Sequence, residues 1–164
     1  MAQTRIKLIS LHYFRGASLP ATIEFEPDKK ISMIFGENGT GKSSIVDAFS
    51  FLCERKFGSL EEHSGADNRC VTSICGKPEQ LRVKLTTSRG TWEAAFKSKT
   101  MTIDVKPPQG CPDVRILRRS NILRFIEAEP KKRFESLQEY INVPGIIASE
   151  AGLREAVKDT NEEL

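Results

Sequence analysis

The segment Ile31-Ser32-Met33-Ile34-Phe35-Gly36-Glu37-Asn38-Gly39-Thr40-Gly41-Lys42-Ser43-Ser44-Ile45-Val46-Asp47-Ala48-Phe49-Ser50-Phe51-Leu52 is the most informative part of the chain. An apolar run ends at Gly36, a glycine-rich turn follows, and Lys42-Ser43 opens a helical pattern. The spacing is Gly-x-x-x-x-Gly-Lys-Ser, that of a phosphate-binding loop. Ile31, Met33, Ile34 and Phe35 predict a buried strand before it. Ile45, Val46, Ala48, Phe49 and Leu52 predict one helix face after it.

Those residue types suit a polyphosphate. Gly36, Gly39 and Gly41 tolerate backbone angles that a Cβ penalises. A backbone wrapped in that way turns successive N–H groups inward as an anion nest. The helix that follows offers its free N-terminal N–H groups. Lys42 adds a cation for the β- and γ-phosphates, and the Ser43 hydroxyl is a hard ligand suited to Mg²⁺. The bland alternative, a chance match in a glycine-rich turn, lacks the flanking strand and helix patterns.

The chain has 164 residues, the length of about one domain, and a net charge of +3 that says little about partners. Its basic residues are uneven: Arg115, Arg118, Arg119, Arg124, Lys131, Lys132 and Arg133 lie close together. Such a run is commonly a solvated face, and a nucleic-acid surface is the sharper reading. Cys53, Cys70, Cys75 and Cys111 form no Cys-x-x-Cys pair. They predict reduced, structural cysteines in a cytosolic chain. No signal peptide, transit peptide or membrane-spanning run is read.

Two alternating segments, Arg5 to Leu11 and Ala21 to Phe25, predict strands ahead of the phosphate loop. Residues 54 to 69 read as a loop. Cys70–Cys75, Leu81–Thr87, Thr91–Phe96 and Met101–Val105 then read as an antiparallel meander, and Pro107 to Pro112 break it. Val114 to Leu117 reads as a further strand. Ile122, Leu123, Phe125 and Ile126 give a helix face, and a further helix follows Pro130 with Phe134, Leu137, Tyr140 and Ile141. From Ile146, Leu153, Val157, Thr160 and Leu164 keep a 4-3-4 spacing like the start of a coiled coil. The pattern runs to Leu164 with no cap signal, so the natural chain is expected to continue.

Gly36 to Leu52, preceded by Tyr13-Phe14-Arg15-Gly16, resembles the N-terminal lobe of SMC-like ATPase heads, including those of the RecF and RecN type. The loop Gly36-Glu37-Asn38-Gly39-Thr40-Gly41-Lys42-Ser43 and the trailing Ser44-Ile45-Val46-Asp47-Ala48 carry the likeness. It implies an α/β fold: a P-loop NTPase lobe of the ABC-ATPase head class, with a mixed sheet and an antiparallel meander. The lobe would occupy residues 1–145, and a coiled-coil helix would begin at 146–164.

The resemblance also implies a working cycle. ATP and Mg²⁺ would be held by Arg15, Gly36, Asn38, Gly39, Thr40, Gly41, Lys42, Ser43 and Ser44, with Ser43 on the metal. A C-terminal lobe of the same protein would supply an Asp-Glu strand and a signature loop, and two heads would sandwich two nucleotides. None of those C-terminal motifs occurs in this chain, so little hydrolysis is expected from it alone. The family's glutamine-loop position falls on Arg119. Arginine has no acceptor for a cation, so Ser120 or Asn121 takes that role or the site works differently.

The function implied is DNA processing, repair or chromosome maintenance, with DNA, a second head and no membrane as partners, in the cytoplasm or at the nucleoid. The alternative is a nucleotide-sensing module that gates a partner nuclease or toxin. A small-molecule kinase is disfavoured by the meander and the coiled-coil exit, and a GTPase by the lack of an Asn-Lys-x-Asp guanine motif.

Overall fold

The computed structural model describes residues 4–62, 68–97 and 102–129, and positions 132, 133, 149, 152, 153 and 155. The chain divides into two compact units, Met1–Ile116 and Leu117–Leu164.

The first unit is built on a five-stranded sheet in the order β2-β1-β3-β4-β5. Its strands are β1 (Ile6–His12), β2 (Ala21–Glu24), β3 (Arg82–Thr87), β4 (Thr91–Phe96) and β5 (Ile103–Lys106). Every pairing is antiparallel. Register follows hydrophobic alternation, because a slip of one residue would turn each side chain to the other face. Ile9 stands opposite Ile23 and Leu85, and Leu85 opposite Trp92. In the next buried row Leu11 faces Val83, Val83 faces Ala94, and Ala94 faces Val105.

The buried residues of those rows form one core with Ala48, Phe51 and Leu52. Helix α1 (Lys42–Phe49) supplies the first of these, and a π-helical turn, Ser50–Glu54, supplies the others. The wider π turn buries Ser50, Phe51 and Leu52 in succession. Phe51 meets Phe14 and Phe96 edge-on, with ring centroids 5.4 and 5.5 Å apart. Edge-to-face packing of this kind adds to the gain from area burial.

The structure corrects several expectations. Residues 31–35 do not form a buried strand: no ladder joins them, and Ile31 and Phe35 are 80% and 90% exposed. The strand that would make the sheet mixed is therefore an irregular segment outside it. Apolar patterning marks a segment suited to burial, but burial needs a neighbour with free N–H and C=O groups. Cys70–Cys75 is not a strand either: Asn68–Val71 is a 3₁₀ turn, and only Thr72 makes a bridge, to Phe14. Residues 114–117, read as a further strand, belong to no helix or ladder among the described residues. Within residues 54–69, Gly58–Glu62 is a 3₁₀ turn. The remaining meander strands form as expected, with boundaries shifted by up to two residues.

In the second unit, α2 (Arg119–Glu127) matches the helix read from Ile122 to Ile126. The Asn121 Oδ1 accepts from the Arg118 backbone N–H at 3.1 Å, capping the first turn. Arg133 donates from Nε and Nη2 to the Ala128 and Ile126 carbonyls, at 2.6 and 2.9 Å. A cation on the last carbonyls of a helix is favourable. Pro130, the helix face from Phe134 to Ile141 and the boundary at 145–146 lie outside the described residues, as does most of the coiled-coil seam. Among the described residues no helix is long and apolar enough to cross a membrane.

Candidate functional site: the phosphate loop and its flanking cleft

The chain leaves residue 35 in solvent and turns through residues 36–41 into α1. Gly39 and Gly41 have φ of 87° and 90°. These are left-handed angles, costing a residue with a Cβ roughly 1–2 kcal/mol. A Cβ on Gly36 would lie 2.9 Å from the Thr40 Oγ1, so a larger residue there would have to displace the Thr40 side chain. Thr40 Oγ1 donates to the Glu37 carbonyl at 2.8 Å and pins the tip.

Gly41 is the N-cap of α1, and no side chain caps the helix. Its first N–H groups are therefore left for a ligand or water, at the positive end of the dipole. Lys42 reaches back across the loop, its Nζ donating to the Gly36 and Glu37 carbonyls at 2.7 and 2.5 Å. The ammonium is thus held on the carbonyls of the loop. The Asn38 and Ser43 side chains are exposed.

Beside the loop lies a cleft of about 340 Å³. One wall is Leu11, Gly16, Ala17, Ala21 and Ile23, from the β1–β2 hairpin and its connection. The other is Gly39, Thr40, Gly41, Ser44 and Ile45. An apolar cleft that opens onto an anion nest suits a ligand with a flat, weakly polar group at one end and phosphates at the other.

For Mg²⁺, the chain offers the Ser43 hydroxyl beside the loop. Among the described residues no cluster of three His, Cys, Asp or Glu side chains is placed to hold a metal. This donor set fits Mg²⁺, which is commonly bound through one or two protein oxygens plus substrate phosphates and water.

Arg15 is placed differently from the loop residues. It adopts a left-handed φ of 52°, as Tyr13 does at 49°. Backbone bonds hold this strained corner: Arg15 N to Val71 O at 2.6 Å, and Ser73 N to Tyr13 O at 2.8 Å. The Arg15 guanidinium forms an ion pair with Asp47, which is fully buried on α1. It also donates to Ser59 Oγ at 2.8 Å. Asp47 in turn accepts from the Ser59 N–H and hydroxyl, each at 2.9 Å. A buried carboxylate is tolerable only when paired and hydrogen-bonded, and this one is both.

The pairing of Arg15 with Asp47 and Ser59 was missed by sequence reasoning. The one signal was an aspartate among the apolar positions Ile45, Val46, Ala48 and Phe49 of a helix face. Of the predicted residues, the structure brings the 36–44 group together around one turn. Arg15 lies against the inner side of the helix that leaves this turn. Arg119, Ser120 and Asn121 fall in the first turn of α2 in the second unit.

Comparison with known proteins bears on the family and the fold. A family model described as an AAA domain matches residues 6–163. A solved chain from work on ATP-driven dimerisation and DNA-stimulated activation of SMC ATPases superposes with a TM-score of 0.60 at 15% identity. The match covers 83% of this chain and 99% of that one, and shows a shared fold. No curated protein matches at the sequence level. With a glycine turn, a lysine folded over it and a family match along nearly its whole length, the chain belongs to the AAA domain family and has the fold of an SMC-like ATPase head.

Proposed function

We propose that this chain is the ATP-binding lobe of an SMC-like ATPase that acts on DNA. On this reading it hydrolyses ATP only when a C-terminal lobe and a second head complete the site. The observation that carries the reading is the phosphate loop itself: left-handed Gly39 and Gly41 at an uncapped helix start, with Lys42 over the turn. The apolar cleft beside it supports a base-bearing phosphate ligand over a simple anion.

The role of a second lobe is supported by the exposed 31–35 segment. It carries four large apolar side chains in solvent directly before the loop. Another strand laid along it would cover them and order the loop from behind. Mg²⁺ would enter with the nucleotide and take the Ser43 hydroxyl as its protein ligand, neutralising phosphate charge. This chain's own part is to bind and orient the polyphosphate through backbone N–H groups and Lys42.

A role on DNA is the inference drawn from the related head, described as DNA-stimulated. The test is a calorimetric titration with ATP and Mg²⁺, followed by ATP turnover with and without duplex DNA for the protein joined to its C-terminal lobe. Saturable ATP binding and a DNA-dependent rise in turnover that fades with salt are expected. ATP binding without any DNA effect would remove the DNA half of the proposal. No binding at all would remove the whole.

A further inference from the structure

We propose that Cys53 and Cys111 form a reversible disulfide site, closed by low-molecular-weight disulfides that react first at Cys111. The two thiols are far apart in sequence but adjacent in the fold. Cys53 lies in the π-helical turn that continues α1, and Cys111 in the segment after β5. Both are half-buried against the core.

Two hydrogen bonds bring the second segment to the first. The Cys111 thiol donates to the Leu52 carbonyl at 3.8 Å. Arg55 Nη2 donates to the Pro108 carbonyl at 3.4 Å. A third bond anchors the same segment to the sheet, from Trp92 Nε1 to the Gln109 carbonyl at 3.1 Å. The Cys111 sulfur therefore sits on the carbonyl of the residue that precedes Cys53, and side-chain rotation is the movement that would bring the two sulfurs to the ~2 Å of a disulfide.

The surroundings give the two thiols different roles. Burial pushes the Cys53 thiol far up, and the neighbouring Cys111 sulfur pushes it further. Burial raises Cys111 as well, but the neighbouring Cys53 thiol and the Arg55 guanidinium pull it back. Cys111, the less strongly raised of the two, is therefore the first to ionise. The thiolate is the reactive form.

The chemistry balances in two exchanges. The Cys111 thiolate attacks one sulfur of a small disulfide such as oxidised glutathione, and one glutathione thiolate leaves. Cys53 then gives up its proton to solvent and attacks the Cys111 sulfur, and the second glutathione thiolate leaves. The protein loses two electrons and two protons, and the small disulfide becomes two thiols. The bond ties the helix that begins at the phosphate loop to the segment leading out of the first unit.

The test is to incubate the chain with oxidised glutathione, block the remaining thiols, digest without reduction and map the peptides by mass spectrometry. The expected product is a cross-linked pair containing Cys53 and Cys111. Of the four thiols in the sequence, those at Cys70 and Cys75 stay outside that bond. Dithiothreitol should reverse it, and its rate should rise about tenfold per pH unit while Cys111 remains largely protonated. Cys53→Ser should stall as a glutathione adduct on Cys111, and Cys111→Ser should leave Cys53 unmodified. Cross-links confined to Cys70 or Cys75, or an unmodified Cys53 and Cys111 after prolonged mildly alkaline incubation, would overturn the proposal. Mapping the unaltered chain decides the matter even if a variant folds poorly.

Discussion

Strand β3 and the segment leading into the phosphate loop are both rich in apolar residues. Val83 and Leu85 are fully buried, while Ile31, Met33 and Phe35 are 80%, 84% and 90% exposed. The side chains are comparable, so hydrophobicity does not separate the two. Backbone neighbours do. β3 has β1 on one side and β4 on the other, with α1 and its π turn over the same face. Residues 31–35 have no ladder partner among the described residues. One segment holds the fold together, and the other delivers a loop and offers an edge.

That contrast can be broken by substitution. Leu85→Ala removes a fully buried side chain from the centre of the sheet and should cost about 2–5 kcal/mol. Chemical denaturation would read this directly, and a loss under about 1 kcal/mol would mean the sheet core is not as described.

The next largest effect is expected at Asp47→Asn, which leaves Arg15 facing a neutral amide and weakens the acceptor for Ser59. A loss of about 3 kcal/mol is expected from breaking a buried pair. Ser59→Ala should cost only about 1 kcal/mol, because Arg15 and Asp47 keep each other. Equal losses would show that Ser59, not the ion pair, holds the corner.

Lys42→Ala should leave stability nearly unchanged and weaken ATP binding by roughly 10- to 100-fold, the worth of one charge-assisted contact. Unchanged affinity in calorimetry would refute the phosphate-loop role. At the small end, Phe35→Ser should change the stability of this chain by no more than about 0.5 kcal/mol. A large loss there would mean residue 35 is covered in solution, and the contrast with β3 would collapse.

Much of this was legible beforehand, for reasons that differ by segment. β1, β3 and β4 were readable because each has one buried face, and alternation with period two is the imprint of that face. The glycine-rich turn was readable because left-handed backbone and close approach leave few other residue types. The stretch Cys70–Cys75 was misread as a strand because Cys70, Val71 and Ile74 look apolar in isolation, whereas the start of the stretch closes a 3₁₀ turn and only Thr72 makes a bridge. The pairing of Arg15 with Asp47 was illegible for the same reason: 32 positions separate them, and the strained corner at Tyr13–Arg15 sets the approach.

Sequence alone determined what is local here: the phosphate loop, whose glycines and lysine act within a few residues of one another, and the strands whose alternation records a half-buried sheet. Tertiary structure decided what depends on distant partners. It left 31–35 uncovered, drew Arg15 onto a buried aspartate, and brought Cys111 against Cys53. The physical reason is that backbone conformation is written residue by residue, whereas burial and pairing are properties of whichever segments the fold sets side by side.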